Sequence, residues 1–499
     1  MKYINKILLI TLMTFVGYSC SDLEEDTSSL IEVGKIETEN DITASVAPIY
    51  RNLLEMYKSP HFTRTATYGG DDITTWIAGN KAPLRVFDKF DYGSGENSDI
   101  KWLPHVWDAS WQTIYFCNSL IEGLKSSTAP EDVIAKADAE ARVFRALCYL
   151  NLVKIHGNMP LILDGDIPTG KEQRATVLEN YQLIESDLLI AEEFLPIPGE
   201  EPQGRASAAL AKSILADLYL TWAGWPVKDA LKNQLAADKA KEIIDYNFYN
   251  LVPLEDLWSK EGGDSKEVIF SFKLPDDQSI VNGTPTAFSF HQARGFSDCF
   301  AEFQFFNDFP EGPRKDVTFL LDIPNRNAPG GVITPKDPAT IPWQDSDRGH
   351  PMYKKYVLGE DLTFGNRPVS FRSVVIYRYA EILLIYAEAQ ARGDGQNGDS
   401  IEALNQVRRR AYPAGTPDLA TATPNEIVDE KGWELAAENK RWYDLVRTER
   451  VAEMAAKRDP SEPVTLVRQP TEAQFIAPIP FASINLSELE QNPEGFKIR

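Results

Sequence analysis

The chain has 499 residues and carries 51 Lys and Arg against 74 Asp and Glu, a formal charge of −23 at pH 7. That balance disfavours nucleic acid or any other polyanion as a whole-surface partner and leaves room only for a local basic pocket. Hydrophobic residues make up 43 % and cysteines number four, so the chain can bury a large core without a disulfide framework.

Residues 1–19 begin with Lys2 and Lys6, continue in the apolar run Ile7 to Val16 and close on Gly17-Tyr18-Ser19 before Cys20. This is the pattern of a secretory signal peptide. The apolar run covers roughly 15 Å as a helix, against the ~30 Å of a bilayer core, so it does not read as a permanent span. Cys20, directly behind it, is the expected acceptor of a lipid anchor, with an ordinary cleaved leader as the alternative. Beyond it remain Cys117, Cys148 and Cys299. The first two sit in helical patterns and are expected as buried free thiols, one bridge being the alternative.

Ile42, Val46, Ile49, Leu53 and Met56 give a first amphipathic helix over 40–57, with Asp41 at its start. Residues 58–100 read as a long irregular stretch that includes YGGDDITTWIAGN at 68–80. Long loops with aromatics are common places for binding. Two helices follow, Trp102 to Leu124 and Glu131 to His156, the second ended by Gly157 and Pro160. His156 is expected to meet the last carbonyls rather than a metal. Thr176 and Glu179 form a capping box for a helix to Leu195. A further helix, Ser207 to Gly224, ends in TWAGWP, where Trp222 and Trp225 read as a packed helix end before they read as sugar platforms.

From 255 to 371 the texture changes to Gly, Pro, Asp and aromatics, with FSFHQARGFSDCFAEFQFFNDF and TIPWQDSDRGHP and no helical period. Val374 to Arg392 then reads as a helix apolar nearly all round, its charges Arg378, Glu381, Glu388 and Arg392 on one narrow face. Asp394 to Asp399 lacks the alternating oxygen ligands of a calcium loop and reads as the turn into the next helix, 401–412. Thr423-Pro424-Asn425-Glu426 opens a third helix that runs to Arg447, with Trp442 facing inward and Arg441 paired to Glu434 or Glu438. Two carboxylates near an arginine also suit a glycosidase acid pair; an ion-paired wall beside a packed aromatic is the other reading. No Gly-rich phosphate loop, HExxH or paired CxxC occurs, and with five histidines no cofactor or metal site is expected.

The succession RYAEILLIYAEA, NQVRRRA and WELAAENKRWYDLVR resembles the C-terminal signature of the SusD/RagB family of outer-membrane nutrient-binding lipoproteins. In its last motif, Glu430, Glu434, Leu435, Ala436, Glu438, Arg441, Trp442, Asp444, Leu445 and Arg447 fill the family pattern. AEARVFRALCYLNLVKIHGNMPLIL and the closing Asn492-Pro493 resemble further landmarks, so the likeness covers nearly the whole chain.

This resemblance implies a mainly α fold, a tetratricopeptide-like helical hairpin scaffold with a long loop-rich insertion. Behind the tether 20–39, whose Ser21 to Asp26 resembles a surface-export signal, it implies one domain over 40–499. The scaffold would cover about 40–250 and 372–456, and the insertion about 255–371. The implied protein is non-catalytic and cell-surface. It would bind an oligosaccharide and deliver it to a SusC-like TonB-dependent transporter of the outer membrane. An all-helical glycoside hydrolase and a peptide-binding member of the family are the alternatives. Sugar binding needs flat aromatic faces and polar groups for hydroxyls. The candidates are Trp76 first, then Phe296 and Trp343, with Asp71, Asp72 and Arg294 as polar partners. For Trp76 a loop anchor packed on the scaffold is an equal reading, and aspartates beside glycines also read as turn formers.

Overall fold

The computed structural model describes residues 36–66, 69–91, 102–202, 204–259, 261–275, 279–291, 295–324, 340–355 and 369–492. The signal peptide, Cys20, the acidic stretch 21–26, Arg294 and Pro493 lie outside them. The chain divides into Met1–Lys35 and Ile36–Arg499, and everything described belongs to the second unit.

Its scaffold is a series of helices: α1 Glu39–Tyr57, α2 Leu103–Leu124, α3 Glu131–His156, α4 Val177–Phe194, α5 Ala208–Trp222, α6 Lys232–Asp245, α7 Tyr379–Arg392, α8 Gly398–Ala411, α9 Pro424–Glu434 and α10 Arg441–Arg447. From α1 to α8 each packs on the next, including α6 on α7, although more than a hundred residues separate those two in the chain. The insertion therefore leaves and re-enters the scaffold between two neighbouring helices. This mainly helical architecture is the one expected.

Local signals explain several helix ends. Thr176 and Glu179 make their capping box, as do Thr423 and Glu426. Gly157 closes α3 at φ +78°, a conformation that glycine adopts without a Cβ clash. The turn before α8 is capped by Asn397, whose side chain accepts from the Ser400 N–H. Cys117, Cys148 and Cys299 are buried free thiols.

Four expectations are corrected. Helix α1 is capped by Thr38, and Asp41 is the third helical residue that reaches back to it. The stretch after α1 is not wholly irregular: it contains helices at Pro60–Ala66 and Ala82–Asp88 and strand β1, Ile73–Thr74. Val374–Arg378 is strand β8, paired antiparallel with β2, Val268–Phe272, so the third-from-last helix starts only at Tyr379. Its β-branched Val374, Val375 and Ile376 fit a pleated strand better than a helix. From there the forecast holds, since every residue from Tyr379 to Gln390 is buried. The helix expected to reach Arg447 breaks between Glu434 and Arg441, where Ala437 and Asn439 take left-handed φ of 62° and 61°.

The insertion carries the remaining short strands: β3 Phe300–Ala301, β4 Phe319–Leu320, β5 Asp322–Pro324, β6 Thr340–Pro342 and β7 Met352–Tyr353. β1 pairs with β3, β4 with β7 and β5 with β6, all antiparallel. The first pairing joins the loop after α1 to the insertion.

Candidate functional site

The loop that carries Trp76 is tied down along its length. Asp71 accepts from Arg441 at 2.7 and 2.8 Å. The Asp72 carboxylate accepts from the Ala437 N–H at 3.0 Å. Thr75 donates through its N–H and hydroxyl to Asp88, at 2.9 and 2.8 Å. Arg85 donates to the carbonyls of Trp76 and Ala78. An aromatic on such a loop is held in place before any ligand arrives, which lowers the ordering cost of binding.

These bonds remove Asp71 and Asp72 from the set of sugar-facing acceptors. Asp71 is spent on a guanidinium. Asp72 is 2 % exposed; burial and the neighbouring Asp71 push its carboxyl up to about 7, against the Ala437 N–H and Arg441. They are anchors of the loop, and the turn between α9 and α10 presents the Ala437 N–H to Asp72. Arg441 therefore does not pair with Glu434 or Glu438; its carboxylates are Asp71 and Asp429.

Trp76 and Trp343 come together on one base. Both are half-buried and pack against a cluster of Phe290, Phe300, Ile323 and Met352, separate from the main core. The rings continue through His350, which lies 4.5 Å from Phe300 and stacks on Phe303 at 4.0 Å, with Phe303 6.1 Å from Trp343. Phe296 is half-buried in the segment before β3 and is not among the side chains that pack on this cluster; its carbonyl accepts from buried Lys81, itself paired with Asp298. Arg294 lies outside the described residues.

Sequence reasoning missed the polar rim of this face. The Arg348 guanidinium sits 4.9 Å from the centroid of Trp76 and meets the His291 ring nitrogen at 3.0 Å. Asp347 lies 3.4 Å from Arg348 and 3.7 Å from His291. The signal was present in TIPWQDSDRGHP, where Asp345, Asp347 and Arg348 follow within five residues of Trp343. Such a group offers a stacking surface, a cation, a carboxylate and an imidazole within a few ångströms, which suits hydroxyl-rich rings.

The paired-carboxylate reading leads elsewhere. Glu434 accepts from Arg314, Arg378 and Arg410, and Glu438 from Arg378 and Lys355. Glu267 and Glu430 complete the network with Arg378, Arg410, Arg314 and Arg408. Burial alone would raise the Glu438 carboxyl, but Arg378 and Lys355 outweigh it and hold the group down to about 2. Glu434 is likewise held well below the ordinary range, its burial outweighed by Arg410, Arg378 and Arg314. A general acid needs the opposite shift, so these carboxylates form an ionised wall. His156 is buried, with its ring nitrogen 2.8 Å from the Pro478 carbonyl of the closing segment instead of its own helix end. No cluster of potential metal ligands occurs among the described residues.

Comparison with known proteins supplies the identity of this architecture. A sequence model described as the SusD family matches residues 324–494, and one described as starch-binding and associating with the outer membrane matches 28–220. The chain belongs to the SusD/RagB family. SusD-like protein P2 of Formosa agariphila is 25 % identical over 485 residues, covering 90 % of this chain and 91 % of that protein. A SusD superfamily structure from Parabacteroides distasonis superposes with a TM-score of 0.77 at 22 % identity, over 91 % of this chain and 99 % of the other. Surface glycan-binding protein A of Bacteroides thetaiotaomicron, solved with laminarihexaose, superposes with 0.73 at 22 % identity and the same two coverages. In SusD/RagB terms the C-terminal signature supplies much of the ion-paired wall, joined by Glu267, Arg314 and Lys355, and its Arg441 and Ala437 anchor the loop that carries Trp76.

Proposed function

We propose that this protein is a cell-surface lipoprotein of the outer membrane, anchored through Cys20, that binds an oligosaccharide across the Trp76 and Trp343 face and delivers it to a TonB-dependent transporter. The observation that carries the reading is the half-buried Trp76 on a pinned loop, under Arg348 and beside His291 and Asp347. A pyranose offers an apolar face to stack on an indole and hydroxyls for charged and imidazole groups at its rim. Solved structures of the same fold, one of a laminarin-binding SusD-like protein, one of a surface glycan-binding protein in complex with laminarihexaose and one with a xylogluco-oligosaccharide, support a glycan as the ligand class. The description of the matched N-terminal family supports the membrane setting.

Titration calorimetry of the purified protein against laminarihexaose, xylogluco-oligosaccharides, malto-oligosaccharides and a set of short peptides tests it. Saturable binding of one glycan without its hydrolysis is the expected result. Binding confined to peptides, or release of reducing ends from a glycan, would overturn it.

A further inference from the structure

The residues just past the helix Val451–Lys457 reach both sides of the aromatic face. Asp459 to Glu462 form a tight turn: the Glu462 N–H donates to the Asp459 carbonyl at 3.0 Å, and the Ser461 N–H and hydroxyl donate to the Asp459 carboxylate at 2.8 and 2.6 Å. Asp at the first place and Pro460 at the second are the residues such a turn favours. The turn sets the spacing of two charged side chains, Arg458 before it and Glu462 at its end.

Arg458 turns to the loop of Trp76. It donates to the Asp88 carboxylate and to the Thr74 hydroxyl, both at 2.8 Å, and Thr74 donates in turn to Asp88 at 3.1 Å. Asp88 also takes the two Thr75 bonds described above, so the guanidinium closes a ring of contacts immediately before Trp76. Glu302, 3.8 Å away, is a weak competitor for it. Burial, with Glu462, Asp71 and Asp88 nearby, pushes the Glu302 carboxyl well above the ordinary range against the pull of Arg458, which favours its uncharged form.

Glu462 turns to the other loop. One carboxylate oxygen accepts the Phe303 N–H at 2.7 Å and the second meets His350 Nε2 at 3.0 Å, with both Glu462 and His350 buried. His350 Nδ1 lies 2.7 Å from the Arg348 carbonyl, which can only accept, so Nδ1 carries hydrogen. The Nε2 contact then holds one proton between imidazole and carboxylate, whichever of the two carries it. Glu462 thereby fixes a ring that stacks on Phe303 beside Trp343 and, through the Arg348 carbonyl, the residue whose guanidinium lies by Trp76. A buried ion pair is often no more stabilising than apolar residues of the same volume, but it fixes donors and acceptors at set positions.

We propose that Arg458 and Glu462 are positioning residues of the face: Arg458 holds the wall that carries Trp76, and Glu462, through His350 and Phe303, holds the wall that carries Trp343 and Arg348. Their service to glycan binding rests on the function proposed above; the positioning does not. The test is hydrogen exchange of the mature protein without ligand, read by mass spectrometry on the wild type, Arg458→Met, Glu462→Leu and Glu462→Gln. Arg458→Met should speed exchange about tenfold or more in 72–78 and spare 343–350, and Glu462→Leu should do the reverse, with α4 unchanged in both. Glu462→Gln should behave as wild type, since its amide can accept the Phe303 N–H and donate to a neutral His350. If Arg458→Met does not fold, Thr74→Val removes a contact of the same guanidinium while leaving the cation beside Asp88, and should loosen the same loop. Calorimetry follows on the same proteins with laminarihexaose, a xylogluco-oligosaccharide and a malto-oligosaccharide. A glycan that the wild type binds should bind about fivefold or more weakly to Arg458→Met and Glu462→Leu and equally to Glu462→Gln. Unchanged exchange in both loops, equal loosening of both loops and α4, Glu462→Gln matching Glu462→Leu, or unchanged affinity in a loosened variant would overturn the proposal. A wild type that binds none of the three glycans while the exchange pattern holds would count against the glycan reading alone.

Discussion

Arg441 and Asp71 meet across 370 residues of chain: the Nε and Nη2 groups of the arginine donate to the two carboxylate oxygens at 2.7 and 2.8 Å. One residue further on, Asp72 accepts the Ala437 N–H. The C-terminal signature thus holds the loop that carries Trp76, and its stability is coupled to the geometry of the proposed glycan face.

Breaking that link should be felt twice. Removing one partner of a buried ion pair costs about 3–5 kcal/mol, and the remaining Asp429 at 3.3 Å puts Asp71→Ala at the lower end of that range. Denaturant unfolding should show the loss, and the surviving folded protein should bind its glycan more weakly because Trp76 is no longer fixed. An unchanged midpoint together with unchanged affinity would show that the pair does not anchor the loop.

The ion-paired wall sets the behaviour in acid. Glu438 is held down to about 2 in the folded protein against an ordinary 4.5. A depressed folded value means that its contribution is present above the unfolded value and is lost as the pH falls through the folded one. Stability should therefore drop between about pH 4.5 and 2, and Glu438→Gln should start lower and show a shallower drop over that window. Part of the slope remains in the variant, because Asp444, whose burial is outweighed by Lys431 and Arg447, is also held to about 2. Midpoints measured against pH for both proteins check this, and parallel curves would contradict it.

What the sequence shows and what it hides divide along the range of the interaction. The capping boxes at Thr176 and Thr423 and the buried run of α7 depend on residues within a few positions of each other, and periodicity reveals them. Trp442 was legible as inward for the same reason, and it is 7 % exposed. Arg441 was misread because an unbroken helix would set it beside Glu438, whereas the left-handed turn at Ala437 and Asn439 redirects it to Asp71. The partners of Asp72 and Trp76 were invisible on the same grounds: Ala437 and Arg348 are hundreds of residues away and leave no local pattern.

Trp442 packs against the loop as well as the core. A Cβ placed on Gly69 would lie 2.4 to 2.8 Å from three atoms of the Trp442 ring. Gly69→Ala should cost about 1–3 kcal/mol through overpacking, and Trp442→Ala about 3–5 kcal/mol through lost burial. Because the clash needs both groups, the double variant should be more stable than the sum of the two losses predicts. Strict additivity in a thermal or denaturant cycle would count against the contact.

Cys20 decides where the protein resides in the proposed function. Each buried CH₂ of a lipid chain contributes about 0.8 kcal/mol to membrane binding, so a multiply acylated terminus anchors firmly and an unmodified one does not. Cys20→Ser should block processing or move the mature protein from the membrane to the soluble fraction. The comparison is made in cells without a partner transporter, so that a protein contact cannot replace the anchor. An undiminished membrane fraction there would remove lipidation from the proposal.

Trp76 is the residue on which the proposed glycan face depends most directly. Its backbone is fixed by Arg85 and by the Asp71 and Asp72 anchors, none of which involves the indole, so removing the ring should leave the loop in place. Among the described residues the ring meets Phe300 edge-on at 6.3 Å, packs on the cluster that contains it and has the Arg348 guanidinium 4.9 Å from its centroid. Trp76→Ala should therefore weaken the cognate glycan about tenfold or more, roughly 1.4 kcal/mol, with the melting curve nearly unchanged. Trp343→Ala should act in the same direction, since it shares the base, and Arg348→Ala should weaken binding by removing a cation that both stacks on Trp76 and can donate to hydroxyls. Calorimetry and thermal unfolding on the same preparations separate the cases. Unaltered affinity in Trp76→Ala, or lost affinity with a collapsed melting temperature, would make Trp76 a structural anchor and move the glycan elsewhere.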